Sequence, residues 1–498
     1  MKNKRKPRIL FVATLPPPIH GSAVVSQQIK ESKLINDTFD GEWINLSTSR
    51  KMDEIGKNTP INLCKKLFRF ISSLFRTLWL LIIHRYDMCY LAITCHGDGF
   101  IKDSPYALLC KLFCKKIIIH QHNKGMSNDV DNWPYRWLLP LVYKNAKVIL
   151  LSWYLYPDIE RVVPKENVLI CPNGIKIPST EKRNKEKHVV PRLLFLSNLV
   201  ETKGVIVLLD ALKILADKGI SFQCDFVGGE SRKIDASRFA EEVDKRQLNR
   251  IVFYRGRKYG EEKEMILDQS DVFVFPSMED CFPLVILEAM SHSLPIVTTA
   301  EGAIPDEVTD GVNGFISERG NAVSLADCIE KMMADPDLRM RLGEKGYETL
   351  QEKFSDKVFL SRMREVLLDG LGGVTLNNVQ YVGRKYGMDK ELCYEDSDIF
   401  IFPTYNEAFG LVLVEAMSHE LPCVTTDEGS IPDIVEDGVS GLIAKRKDSE
   451  SLAFCIEKLI NDKALRQKIG TAGRKRVECL FTEKKFEERM HEILLTCC

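Results

Sequence analysis

Short, unbroken apolar runs recur along the first third of the chain, separated by stretches of helical periodicity. "RILFVAT" (8–14), "DMCYLAI" (87–93), "KKIIIH" (115–120), "KVILLS" (147–152) and "NVLICPN" (167–173) read as parallel strands buried on both faces. The segment "STEKRNKEKHVV" (179–190) then breaks the pattern with charge, the composition of a linker. The alternation restarts with strand "RLLFLSN" (192–198), helix "GVIVLLDALKILADKG" (204–219) and strand "SFQCDFVGG" (221–229). Strands "RIVFYRG" (250–256), "DVFVFPS" (271–277), "LPIVTTA" (294–300) and "GFIS" (314–317) continue it. Two runs of this kind predict an α/β protein with two doubly wound, Rossmann-like domains facing a cleft, residues 1–178 and 190–368.

The remaining residues, 369–498, repeat part of what precedes them. At a constant offset of 127, 36 of the 61 positions in 256–316 are identical to their counterparts, including "EAMSH", "VTT" and "IPD". The match extends to the last helices, "FSDKVFLSRMREVLL" (354–368) against "FTEKKFEERMHEILL" (481–495). A period this long is not a solenoid unit. Nothing in the second copy corresponds to 190–247, so 369–498 is predicted to be an appended half-domain repeating 248–368.

Composition narrows the function classes. The net charge of −1 gives no support to nucleic-acid binding. The apolar run after the basic start is stopped by Pro16, Pro17 and Pro18 and is too short for a signal peptide. The fifteen cysteines therefore suit reduced thiols in a cytoplasmic protein; the pair Cys497–Cys498 has no explanation in the sequence. No stretch reaches the length of a membrane span. Residues 63–86, "LCKKLFRFISSLFRTLWLLIIHRY", carry Lys65, Lys66, Arg69 and Arg76 among Leu, Phe and Trp79. That suits a core helix, a helix lying in a membrane interface, or one helix doing both.

The duplicated stretch holds the candidate chemistry. In copy one a strand ends at Pro276–Ser277, a loop follows, and a helix starts near Phe282–Pro283. That is the carboxyl edge of an open sheet, where such folds bind ligands, and a helix start favours anions. Asp280 on the loop and Glu288 on the helix stand eight apart, and carboxylates accept from sugar hydroxyls. Together these suggest a nucleotide-sugar site; a loop acid and a solvated helix acid without a ligand are the plainer alternative.

With these motifs the chain resembles a family 4 glycosyltransferase of the GT-B fold, over 8–368 and again over 376–495. The resemblance implies that the acid-x7-Glu motif falls on Asp280–Glu288 and, in copy two, on Glu407–Glu415, with Phe409 and Gly410 between them. The second acid would hold the ribose and the first a hydroxyl of the transferred sugar. Copy one departs from the pattern with Asp280 and Pro283; copy two keeps Glu407 and Gly410. The resemblance further implies that Lys203 neutralises the donor diphosphate, with Asn198 where an arginine is common, and that Gly21 lets the backbone approach the donor. His122, next but one to His120, matches a histidine aimed at the reacting sugar; a structural histidine fits the spacing equally. Two histidines alone are too few for zinc. "CPNGI" (171–175) matches the turn before the interdomain crossing.

The implied activity is a retaining transfer of a sugar from a nucleoside diphosphate sugar to an acceptor hydroxyl, on a glycan or lipid-linked acceptor, in bacterial-type cell-surface polysaccharide or lipopolysaccharide synthesis. Lys203 and the amides near Phe282 and Leu284 would stabilise the leaving charge, with no cofactor and no metal. A sugar-nucleotide epimerase, a phosphorylase and a non-catalytic nucleotide-sugar-binding protein of the same fold are the alternatives. Because copy one directly follows 190–247, it is expected to form the site, leaving 369–498 without its own donor site. The expected location is cytoplasmic, peripheral on the inner face of the cell membrane if 63–86 lies in the interface.

Overall fold

Parallel strands cannot be joined by tight turns, so each needs a crossover, and helices supply most of them. The computed structural model describes residues 5–17, 21–48, 60–178, 188–372, 387–404 and 407–496. Most of the linker 179–190, the start of the second copy's "GRKYG", Asn406 and Cys497–Cys498 lie outside the described residues. The chain forms two compact units, Met1–Asn377 and Asn378–Cys498.

The first unit contains two six-stranded parallel sheets. β1 (Arg8–Ala13), β2 (Asp40–Asn45), β3 (Met88–Ala92), β4 (Ile117–His120), β5 (Lys147–Leu150) and β6 (Val168–Ile170) lie in the order β2-β1-β3-β4-β5-β6. β7 (Arg192–Leu196), β8 (Gln223–Val227), β9 (Val252–Gly256), β10 (Val272–Phe275), β11 (Ile296–Thr299) and β12 (Gly314–Ser317) lie in the order β12-β11-β10-β7-β8-β9. Both orders reverse direction partway, which opens a crevice at the carboxyl ends of the strands. The sequence pattern missed β2. It is an edge strand, "DGEWIN", with only Ile44 fully buried and Trp43 stacked on Phe11 at 4.4 Å, so it reads as polar.

The two domains of this unit are tied by a return crossing. Ile175 pairs with Ser355: its amide donates to Phe354 O (3.0 Å) and its carbonyl accepts from Asp356 N (2.8 Å). A Cβ on Gly174 would lie 2.6 Å from Phe359 Cβ and 2.7 Å from Ser355 O, so only glycine permits the approach. The helix Asp356–Gly370, read from sequence as the end of the 190–368 domain, packs on the first sheet instead. Its Phe359, Met363 and Leu367 are buried in one cluster with Ile9, Phe11, Met88 and Ile118.

The second unit holds β13 (Phe400–Phe402), β14 (Cys423–Thr426) and β15 (Gly441–Ala444), in that order. β13 corresponds to β10, yet no strand among the described residues pairs with it as β7 pairs with β10. Its surface shows the loss. Ile401, Phe486 and Leu494 are 42%, 64% and 58% exposed, whereas their counterparts Val274, Phe359 and Leu367 are 0% exposed. Phe359→Ala should therefore destabilise by about 3–5 kcal/mol and Phe486→Ala by at most about 0.5 kcal/mol. Urea unfolding of the full chain followed by circular dichroism measures both.

Candidate active site

The strand β10 ends at Phe275, and residues 276–283 lead into the helix Leu284–Ser291. This loop is fixed from two sides. Met278 N donates to Thr202 O (2.7 Å), and Ala303 N donates to Cys281 O (2.9 Å). Gly302 has φ +56°, and a Cβ there would lie 2.3 Å from Asp280 O. The loop thereby holds Asp280 beside Lys203: Nζ donates to Asp280 Oδ2 at 2.7 Å and to Glu279 O at 2.6 Å. The remaining carboxylate oxygen of Asp280 accepts from Cys281 N at 2.8 Å. Gly204, next to Lys203, has φ +83° and passes so near Pro276 O that a Cβ would lie 2.1 Å from it. The lysine loop and the acid loop are thus pressed together by backbone contact.

Asp280 and Phe282 face a cavity of about 490 Å³ between the two domains of the first unit, lined also by Gly21, His122 and Lys102. His122 lies 3.9 Å, ring centre to ring centre, from His120. His120 is fully buried and shares a 2.6 Å hydrogen bond with the Tyr90 hydroxyl; burial and the neighbouring His122 push its pKa well below the usual range. The two histidines therefore divide, one into the core and one onto the cleft. A Cβ on Gly21 would meet only Leu284 Cδ1, at 3.9 Å. Phe282 is held edge-on by Phe354 at 5.9 Å. Asn198, Leu284 and Glu288 are not among the residues that line this cavity. Asn198 Oδ1 accepts from Gly229 N (2.9 Å) and so braces the turn after β8. Leu284 packs against the apolar cluster of the first sheet. Glu288 accepts from Lys263 at 2.8 Å.

Residues 177–349 and 374–476 match the family Glycosyl transferases group 1. The chain belongs to that family. Among curated relatives it is 39% identical over 112 residues, 22% of its length and 30% of theirs, to the capsular polysaccharide biosynthesis glycosyltransferase CapM of Staphylococcus aureus. It is 24% identical over 265 residues to the lipopolysaccharide 1,2-N-acetylglucosaminetransferase of Salmonella typhimurium, covering 50% of this chain and 66% of that one. The chain thus spans under two thirds of the length of these relatives. In solved structures it resembles sucrose-phosphate synthase from Thermosynechococcus elongatus (TM-score 0.57, 18% identity, 73% of this chain and 98% of that one). HepE from Anabaena, in complex with UDP and glucose, gives a TM-score of 0.54 at 16% identity, over 72% and 98% of the two chains. The fold is GT-B.

The group 1 motif of the second unit is built differently. Glu407 turns onto its own loop, its Oε1 accepting from Ala408 N (3.0 Å) and Phe409 N (3.4 Å). Gly410 enters its helix at φ +82°, where Pro283 stands at φ −78°, and Phe409 is 39% exposed where Phe282 is 6%. Glu415 keeps the pairing of Glu288, accepting from Lys390 at 2.8 Å, and adds the Tyr394 hydroxyl at 2.9 Å. Three cleft residues escaped the sequence reading. Glu301, 3% exposed, binds Arg319 at 3.0 Å and also Lys124, which reaches it from the first sheet. The repeat carried half of this signal, since Glu428 and Arg446 pair in the same way (2.7 Å); nothing in the sequence marked Lys124. Gly302→Ala should bring both a strained φ and a clash with Asp280 O. We expect a loss of roughly 1–3 kcal/mol and a larger proportional loss of ligand binding, read by thermal denaturation with and without UDP, GDP or ADP.

Proposed function

We propose that the chain is a retaining glycosyltransferase that moves a sugar from a nucleoside diphosphate sugar to an acceptor hydroxyl. The observation that supports it most is the Lys203–Asp280 pair at the loop before the helix Leu284–Ser291, beside a cavity that also admits His122. In such a transfer negative charge develops on the departing diphosphate while positive charge grows on the sugar ring. Lys203 supplies a movable cation on one side, and the start of the helix Leu284–Ser291 adds fixed partial positive charge. Asp280 and His122 then face the sugar, Glu288 the ribose and Gly21 the donor, with the first domain presenting the acceptor. Lys203 and the helix start carry the neutralisation, so the reading contains no metal and no cofactor. HepE, of the same fold, was solved with UDP and glucose, and named relatives act in capsule and lipopolysaccharide synthesis, which favours a cell-surface glycan or lipid-linked acceptor. We assign the donor site to copy one, because 190–247 gives it Lys203 and no counterpart stands beside Glu407 among the described residues.

The surface of the first domain favours a membrane-bound acceptor. The helix Pro60–Ile83 turns Thr77, Leu80 and Leu81 into the core but leaves Phe68, Phe75 and Trp79 73%, 68% and 63% exposed. Leu112 of the neighbouring helix Gly97–Phe113 is 79% exposed, and Trp137 of Tyr135–Tyr143 is 64% exposed. Bulky apolar groups beside exposed Lys65 and Arg76 form an interfacial surface for an anionic bilayer. No helix among the described residues is long and apolar enough to cross one.

Losing one preorganised cation should remove about 3 kcal/mol of transition-state stabilisation, so Lys203→Met should cut turnover by roughly two orders of magnitude in a folded protein. Glu288→Ala should weaken donor binding while Glu415→Ala leaves it intact; the opposite result moves the site to copy two. Nucleoside diphosphate released only when acceptor is present separates transfer from epimerisation. The wild type should sediment with phosphatidylglycerol vesicles, and Phe75→Glu with Trp79→Glu should stay in the supernatant. Equal sedimentation of both would argue against the membrane surface.

A further inference from the structure

Position 307 is glutamate in copy one and its counterpart, Ile434, is isoleucine in copy two. Ile434 is fully buried in the apolar core of the second unit. Glu307 is buried to the same depth, 1% exposed, and neither carboxylate oxygen has a hydrogen-bond partner among the described residues. A buried carboxyl without partners destabilises a fold, and copy two shows that the surrounding architecture accepts an apolar side chain here. The liability sits at the candidate site. The charged and titratable groups acting on Glu307 are Asp280 and Cys281 of the acid loop and Asp306 of its own turn; Lys124 acts on the same Cys281. Burial first, then the repulsion of Asp280 and Asp306, raises the pKa of Glu307 well above the usual carboxylate range. Burial without a partner thus favours the protonated form, whose carboxyl can donate a hydrogen bond.

Asp280 depends on Lys203, whose ammonium donates to it and to Glu279 O, and a bound diphosphate would compete with Asp280 for that cation. We propose that Glu307 is a positioning residue, donating a hydrogen bond to Asp280 when Lys203 turns to the diphosphate. This rests on the roles given above to Lys203 and Asp280. No covalent bond changes: Asp280 exchanges an ammonium donor for a carboxyl donor, and the loop keeps its place during transfer. Isoleucine cannot do this. Copy two, where no lysine stands beside Glu407 among the described residues, has no such exchange to support.

The test compares the full-length wild type with Glu307→Ile, the residue of copy two, and with Glu307→Gln. UDP, GDP and ADP serve as probes in thermal denaturation, and turnover is measured with the nucleotide sugar of whichever diphosphate protects. Without nucleotide, Glu307→Ile should melt above the wild type. The sign follows from linkage: above the usual carboxylate range the native wild type holds a proton that the unfolded chain has lost, so its stability falls as pH rises. The gap should therefore widen as pH rises above the usual carboxylate range. Glu307→Ile should lose roughly tenfold or more in turnover through misplacement of Asp280. Glu307→Gln, whose amide still donates, should retain turnover and keep it at alkaline pH, where the wild type declines as Glu307 ionises. A Glu307→Ile protein with wild-type turnover and pH profile overturns the inference, as does a Glu307→Gln protein that follows the wild-type alkaline decline. If Glu307→Ile does not fold, the Gln pH profile decides alone. A wild type protected by none of the three diphosphates sinks the nucleotide-sugar reading itself, a different failure.

Discussion

The pairing of β10 with β7 is the contact on which the rest of the first unit depends. Val272 and Phe273 lie beside Leu193 and Leu194, and that register brings the two strand ends to one edge of the sheet. The loop after β7 carries Lys203 and the loop after β10 carries Asp280, so the ion pair between residues 77 apart is a consequence of strand order. Gly204 then lets the lysine loop, and Gly302 the turn after β11, approach the acid loop to distances no side chain at those positions would allow. Among the described residues of the second unit, the same sequence of loop, helix and strand folds without a strand in the place of β7. Its acid accepts from its own loop amides, and Ile401, Phe486 and Leu494 are exposed.

The return crossing at Ile175 and Ser355 is the second constraint. It carries the chain back to the first sheet, where the helix Asp356–Gly370 packs on the face that holds Ile9, Phe11, Met88 and Ile118. With both domains held by one buried helix, a side chain from the first sheet can meet a buried carboxylate on the second, as Lys124 meets Glu301. The exposed apolar band on Pro60–Ile83 lies on the opposite face of the first sheet from that covering helix, so it does not compete with the crossing for burial.

The pattern of apolar runs by itself determined the α/β class and the two sheets, because strands buried on both faces leave an unbroken apolar signature; the repeat was legible as residue identities at a constant offset of 127. The strand end and the helix after it drew attention to Asp280 and Glu288, and the family resemblance added Lys203 and His122. It missed β2, because an edge strand buries too little to be written in apolar residues. Tertiary structure alone decided which marked residues meet: Lys203 with Asp280, but Glu288 with Lys263 and Asn198 with Gly229. It alone revealed Lys124 with Glu301, a pair 177 residues apart. It also showed Glu307 to be buried without a hydrogen-bond partner among the described residues, for a glutamate in a sequence carries no sign of its solvation. The sequence showed two unequal copies of one motif, Asp280 with Pro283 and Glu407 with Gly410; among the described residues only the first has a neighbouring strand that brings a cation to its acid, and packing supplies that.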